Sequence, residues 1–315
     1  MREKRIKESN SQLNKQEMDW WDSNAKIIEK IWAMNYEFQR IIRLPYLKKM
    51  KNFFKSDIKK TPLIILEVGC GTGWVCRMIA DDDLHIIGTD FSMGQLSIAK
   101  EQAKLYNKIK FCTYELAEAS SFNKNIDGVV IHALMHHLSE EELKFFIEEL
   151  SKLPPDTKVF LYEPVFIKHQ ANKPSIKDKI LNKIITKLKR ISTKRAQKLG
   201  SIDTELKNAL ENIYEEAKTK GWFISPKEVP FYEDELNNYL LPIFNINKKY
   251  IVNKSDLDIS QELIINKIEK PDFVFSKVLI PLSAWLDKLA FRGNYTFYLA
   301  PLTYQFVCFE LKRKH

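Results

Sequence analysis

Short apolar runs recur along this chain, and each is followed by a stretch in which apolar residues fall at helical spacing. The runs are Leu63-Ile64-Ile65-Leu66-Glu67-Val68, His85-Ile86-Ile87-Gly88-Thr89-Asp90, residues 108–113, residues 126–132 and residues 158–163. Runs that are apolar on both faces mark strands buried in a parallel sheet. The intervening stretches, residues 74–80, 93 to about 106 and 140–150, read as helices. The last opens on Ser139 with Glu142 three residues on, a capping box. Strands alternating with helices predict an α/β fold, a doubly wound Rossmann-like sheet that binds ligands beyond the carboxyl ends of its strands. A helix at 234–241, a sixth strand at 247–252 and a closing strand at 304–311 bring the sheet to seven strands.

The flanks read differently. Residues 1–15 are polar and are expected to be mobile. From Met18 to Lys55 apolar residues such as Ile27, Ile28, Ile31 and Trp32 recur at helical spacing, which predicts one or two helices. Trp20 and Trp21 look exposed, as a cleft wall would be. After Pro164 the alternation stops. Residues 168–200 predict a basic helix with one apolar face, and 205–218 a further helix. Ser225-Pro226-Lys227-Glu228-Val229-Pro230-Phe231 looks like the return to the core. A second insertion at about 253–294 holds a very apolar segment at 278–286. The expected division is a helical cover (1–60), a sheet core (61–165), a basic helical insertion serving as a lid (166–230) and the remainder of the core with the second insertion (231–315).

The candidate chemistry begins where the first strand ends. Glu67-Val68-Gly69-Cys70-Gly71-Thr72-Gly73 places three glycines at alternate positions before a helix that opens at Trp74. Such a turn lets backbone approach a ligand or the following helix closely. The spacing is not the G-x-G-x-x-G of dinucleotide sites, since the third glycine comes two after the second and Trp74 fills the next place. No Gly-Lys-Ser/Thr follows, so it is not a P-loop. E-V-G-C-G-T-G after an apolar strand resembles the first motif of the class I S-adenosylmethionine-dependent methyltransferases, over residues 61–165 well and 230–252 and 303–311 loosely.

That resemblance implies a cofactor, S-adenosylmethionine, held by Glu67, Gly69, Cys70, Gly71 and Gly73. Asp90, 17 residues past Gly73, stands where a carboxylate accepts the ribose hydroxyls, and Phe91 fits the usual continuation. The alternative for Asp90 is a turn or cap. The family's acid for the adenine amine has no match: the expected place is Leu116, which leaves Glu115 and Ala117 as substitutes. At the ends of the fourth and fifth strands stand His132, as a further cofactor contact, and His136, His137 and Glu163, as candidate bases. An imidazole titrates near neutrality and suits a general base. His137 could equally cap or orient the helix after it. The N-terminal helices would lie over the cofactor cleft, as in that family, or simply pack on the sheet edge.

Composition narrows the acceptor. The net charge of +9 is local: residues 168–198 hold eleven basic residues against one acid, +10, so the rest of the chain sums to −1. That segment reads as a solvated face, as a surface for anionic lipid or a lipid-linked phosphorylated substrate, or as an RNA contact. Its apolar stripe favours lipid over nucleic acid, and it carries no RNA-binding motif. The four cysteines form no C-x-x-C pair and suit free thiols in a reducing compartment. The N-terminus has no apolar leader. The expected place is the cytoplasm, with peripheral contact at the inner face of a membrane. No clustered metal-ligand set appears, and His132-Ala133-Leu134-Met135 stands where enzymes acting on a base's exocyclic amine carry Asp/Asn-Pro-Pro-aromatic. The expected activity is methyl transfer to a small molecule, at a hydroxyl of a sugar, glycan intermediate or lipid-like metabolite. The alternatives are an RNA methyltransferase and a non-catalytic cofactor-binding module.

Overall fold

The structure, a computed structural model, describes residues 11–32, 44–56, 61–104, 112–116, 126–166, 176–252, 262–268, 271–283, 285–286 and 304–315. The strands are β1 (Leu63–Val68), β2 (Leu84–Asp90), β3 (Cys112–Leu116), β4 (Gly128–His132), β5 (Lys158–Phe166), a two-residue β6 (Phe231–Tyr232), β7 (Phe244–Val252) and β8 (Tyr304–Arg313). Their order is β3-β2-β1-β4-β5-β8-β7, with β6 beside the end of β5. β1 to β5 run parallel, and β8 runs antiparallel between β5 and β7. This is the doubly wound α/β sheet of seven long strands that the apolar pattern predicts. The order reverses direction between β1 and β4, which puts a crevice at the carboxyl ends of those two strands.

The helices are α1 (Ser11–Trp32), α2 (Leu44–Lys55), α3 (Trp74–Ile79), α4 (Met93–Lys104), α5 (Glu140–Ser151), α6 (Ile176–Leu199), α7 (Thr204–Lys220) and α8 (Glu233–Leu240). On one face of the sheet Leu47, Met50 and Phe54 of α2, Val75 and Ile79 of α3 and Leu96 of α4 pack on Ile65, Ile86 and Val130. On the other, Leu143, Phe146 and Leu150 of α5 and Leu236 and Leu240 of α8 pack on Leu66, Val129 and Leu161. The predicted capping box of α5 forms, with Ser139 and Glu142 exchanging hydrogen bonds. A third core belongs to the insertions: Ile185, Leu188 and Ala196 of α6 meet Leu263, Ile268, Phe275, Leu279 and Leu286.

α1 lies across the crevice side of the sheet. Asp22 accepts hydrogen bonds from the Gly94 amide (2.8 Å) and the Ser92 hydroxyl at the start of α4. Gly94 allows this approach, because a Cβ there would stand 2.9 Å from the Asp22 Cα. Gln95 Nε2 donates to the Trp21 carbonyl (3.0 Å), and Arg77 of α3 pairs with Glu29 at 2.6 Å, both side chains buried.

Several expectations are corrected. Helix begins at Ser11, so residues 11–15 are ordered in α1; residues 1–10 lie outside the described set. Trp20 is buried, its ring edge-on to Trp21 at 5.0 Å, and only Trp21 is half-buried at the crevice. The third strand runs to Leu116, not to Thr113, because the parallel ladder aligns Ile86–Asp90 of β2 with Cys112–Leu116. β5 continues through Pro164 to Phe166. Proline is tolerated there because the ladder to β4 ends at Tyr162 and that to β6 starts at Val165, so no partner on that edge needs its missing N–H. β7 begins at Phe244, three residues before the predicted start.

Candidate functional site

The glycine turn forms as read. Gly69, Gly71 and Gly73 all adopt positive φ, of 70°, 55° and 72°. At Gly69 a Cβ would also strike Leu134 Cδ1 at 2.8 Å, so both backbone angle and packing demand glycine. The turn is tied to the next strand: the Gly71 N–H donates to Asp90 Oδ2 (2.8 Å) and the Cys70 N–H to the Thr89 carbonyl (2.9 Å). Asp90 Oδ1 accepts from the Ser92 N–H (2.9 Å). Each carboxylate oxygen can accept twice, and with the Phe91 amide donating as well, Asp90 retains capacity for one more donor. Burial pushes the Asp90 carboxyl up to about 6, with the Ser92 and Gly71 amides pulling the other way. Phe91, next to it, is 41% exposed.

The other sequence-selected residues at this edge separate into groups. Glu67 is fully buried and accepts a hydrogen bond from Cys76 Sγ of α3, and Cys70 packs in the core. His132 closes β4, its ring stacked on Tyr162 at 4.1 Å and its Nε2 3.2 Å from the Tyr46 hydroxyl of α2. Glu115 lies in β3 opposite Thr89, and Ala117 lies outside the described residues. Two buried polar atoms beside the glycine turn have no hydrogen-bond partner among the described residues: Thr72 Oγ1 within it, and Gln95 Oε1, which faces Gly71. A polar ligand lying over the turn would satisfy both.

Across the crevice, Ala133 turns the chain after β4 with a left-handed φ of 56°, held by its N–H to the Tyr162 carbonyl (2.7 Å). The next two amides, of Leu134 and Met135, both donate to Glu163 Oε1 (3.0 and 2.7 Å). Glu163 Oε2 faces His136 Nδ1 at 2.6 Å. A carboxylate collecting two backbone amides is an acceptor, which assigns the shared proton to His136 Nδ1. Both oxygens of the fully buried Glu163 are engaged, an arrangement that suits positioning His136 more than acting as the free base expected from the sequence. The other ring nitrogen, His136 Nε2, faces Glu228 Oε1 at 3.7 Å.

His137 is held differently. Its Nδ1 meets Glu17 Oε1 of α1 at 3.0 Å, and its ring stands edge-on to Trp21 at 5.1 Å. Glu17 also accepts from Trp21 Nε1 (2.9 Å), the Ser225 hydroxyl (2.9 Å) and the Lys227 amide (2.8 Å). Burial alone would lower the His137 pKa, yet the hydrogen bond and charge of Glu17, with Glu228 and Glu163 behind, raise it above its ordinary value. Burial would likewise raise Glu17, but its bond to His137 holds it below the ordinary carboxylate range. The two face each other as a buried ion pair, which favours the charged imidazole and disfavours His137 as a base.

Glu17 and Glu228 escaped sequence reasoning. Glu17 stands four residues before Trp21 on a helix rich in polar residues, and no local signal separates it from a surface acid. Glu228 carried a usable signal, an acid set between prolines in a segment returning to the core. Residues 225–230 are all buried, and the Val229 N–H donates to the His136 carbonyl (2.8 Å), so the segment is strapped to the turn after β4. Burial pushes the Glu228 carboxyl up to about 7; the charges of Glu17 and Glu163 add to this, and His137 opposes it.

Comparison with known proteins agrees with this geometry. Residues 65–154 match a family model described as a methyltransferase domain. The chain is 30% identical over 152 residues to a ubiquinone biosynthesis O-methyltransferase from Pelagibacter ubique, a match covering 45% of this chain and 60% of that protein. The chain thus spans less than two thirds of this relative's length. Among solved structures, a mycolic acid cyclopropane synthase, CmaA1, bound to S-adenosylhomocysteine and CTAB superposes with a TM-score of 0.54 at 14% identity, over 96% of this chain and 99% of that one. The [4+2]-cyclase SpnF superposes with a TM-score of 0.54 at 13% identity, over 98% and 97%. At such identity these likenesses speak for the fold alone.

The Glu17–His137 pair has a pH signature. Glu17 is lowered from 4.5 and His137 raised from 6.5, so the pair stabilises the fold fully between those two values. Its contribution is lost as pH falls through the depressed pKa of Glu17, or rises through the elevated pKa of His137. Glu17→Gln is expected to cost less than the ~3–5 kcal/mol of a stranded buried charge, because His137 can shed its proton. Urea unfolding of both proteins across pH checks this: the difference should peak inside that window, and a pH-independent difference contradicts the pair.

Proposed function

We propose that the chain, which belongs to the class I S-adenosylmethionine-dependent methyltransferase family, methylates a hydroxyl oxygen of a lipid-like small molecule. The observation that carries this reading is the Glu163–His136 hydrogen bond at the switch point, across the crevice from the glycine turn, with Glu228 3.7 Å from the far ring nitrogen. The name of the Pelagibacter ubique relative, a ubiquinone biosynthesis O-methyltransferase, supports an oxygen acceptor. The very apolar second insertion supports a lipid-like one.

S-adenosylmethionine supplies an electrophilic methyl group whose carbon–sulfur bond breaks as the acceptor oxygen bonds to carbon, leaving S-adenosylhomocysteine. The residues present fit it. The remaining acceptor capacity of Asp90 suits a ribose hydroxyl, and the exposed ring of Phe91 offers an apolar face to a base. The unpartnered Gln95 Oε1 and Thr72 Oγ1 lie where the polar end of the cofactor needs partners. Displacement at a sulfonium needs mostly positioning. A hydroxyl acceptor must also lose its proton, and the Glu228–His136 pair receives it. Glu163 fixes the His136 ring, and the fixed charge of His137 favours the oxyanion as it forms.

Titration with S-adenosylhomocysteine tests the cofactor site. Asp90 is ionised only above its raised pKa of about 6, so affinity should hold above that pH and fall by up to about tenfold per unit below it. Asp90→Asn should weaken binding and flatten that dependence. No binding by folded protein contradicts the reading.

The base has its own signature. With a phenolic or lipid hydroxyl acceptor, kcat should rise with pH through about 7 as the Glu228–His136 pair loses its proton. Glu228→Gln should abolish that limb and lower kcat by about 10²–10⁴-fold. An unchanged profile in the variant removes Glu228 from the chemistry.

A further inference from the structure

The basic segment that dominates the net charge is folded as α6, and its two faces are unlike. Turned inward are Ile185, Leu188, Ser192 and Ala196, all buried, three of them in the core shared with the second insertion. Turned outward are Ile176, Ile180, Ile184 and Ile191, which are 77%, 53%, 42% and 44% exposed. At 3.6 residues per turn, Lys183, Lys187, Lys194 and Lys198 fall among these isoleucines on the same outer side. All four lysines are exposed, and none joins an ion pair with another described residue. The inward side of the same helix carries the compensated cation, Arg195, paired with Asp272.

A solvated face would hold lysines without branched apolar neighbours, and a nucleic-acid face would place aromatic or polar groups between them. Isoleucines interleaved with lysines suit a bilayer interface, where the apolar side chains enter the acyl boundary and lysine stems reach up to anionic headgroups. The neighbouring segment adds to the pattern. Packed against α6, it exposes Phe273 at 74%, Val278 at 46% and Trp285 at 55%. Tryptophan is favoured at such interfaces. No described helix is long and apolar enough to cross a membrane, so the contact is one of lying on the surface.

We infer that the outer face of α6 docks the protein onto a bilayer rich in anionic lipid. The position in the fold gives this docking a use. The insertion leaves the sheet at the carboxyl end of β5 and returns through residues 225–230, which strap the turn bearing His136. The docking surface is therefore rooted on the edge of the sheet that carries the crevice. The inference stands without the proposed chemistry and is tested without it.

The test is flotation of the full chain with vesicles of phosphatidylglycerol and phosphatidylcholine, with vesicles of phosphatidylcholine alone, and with single-stranded RNA. Binding is expected to the anionic vesicles and to weaken with salt. Lys183→Gln, Lys187→Gln and Lys194→Gln together should weaken it about a hundredfold, at about fivefold per charge. Ile180→Ser with Ile184→Ser should weaken it at every salt concentration and leave S-adenosylhomocysteine binding unchanged. These five positions are at the surface, so circular dichroism should show the variants folded. No flotation with anionic vesicles overturns the inference. So does flotation that survives the isoleucine changes, or RNA binding that depends on the lysines alone.

Discussion

One buried carboxylate, that of Glu17, holds the working end of this protein together. Its two oxygens receive an imidazolium, an indole N–H, a serine hydroxyl and a backbone amide from three separate parts of the chain. Taking a carboxylate out of water costs several kcal/mol, and only good geometry with full hydrogen bonding offsets that. Here the four partners come from three elements: Trp21 from α1 itself, His137 from the turn after β4, and Ser225 and Lys227 from the strap before β6. The pair is thus a weak source of net stability and a strong determinant of arrangement. It places α1 over the crevice and fixes the charge of His137.

The relay beside it is built by the same logic on a different backbone. Ala133 takes a left-handed φ after β4, which turns two successive amides toward Glu163. Glu163 then has one oxygen left, and it fixes His136. Glu228 faces the far side of that ring in a segment with no exposed residue, where burial raises its pKa toward neutrality. Two adjacent histidines consequently differ in role because their carboxylates differ. His137 is locked in an ion pair, while His136 connects a fully engaged acid to one poised to titrate.

The sheet was legible in the sequence because its strands are apolar on both faces and its turns are punctuated by glycine. The glycine turn and Asp90 were legible for the same reason: backbone approach and a strand-end acid leave local signatures. The histidines were legible as positions and not as roles. Whether an imidazole is a base or a fixed cation depends on Glu17, 120 residues away in the chain. Glu163 looked like a base because a lone acid at a strand end does so; the two amides that engage it come from a turn 28 and 29 residues earlier. The end of β3 was misread because register is imposed by β2 and not by the strand's own residues. The burial of Trp20 depends likewise on where α1 docks, which Gly94 and Asp22 decide together.

The central claim is that the two histidines carry different proton arrangements imposed by Glu17 and Glu163. The most direct measurement is nitrogen-15 NMR of the histidine side chains at about pH 7, assigned with single histidine variants. The account predicts that His137 shows both ring nitrogens protonated and that His136 carries a proton on Nδ1. A neutral His137, or a His136 protonated on Nε2 with Nδ1 bare, would contradict it.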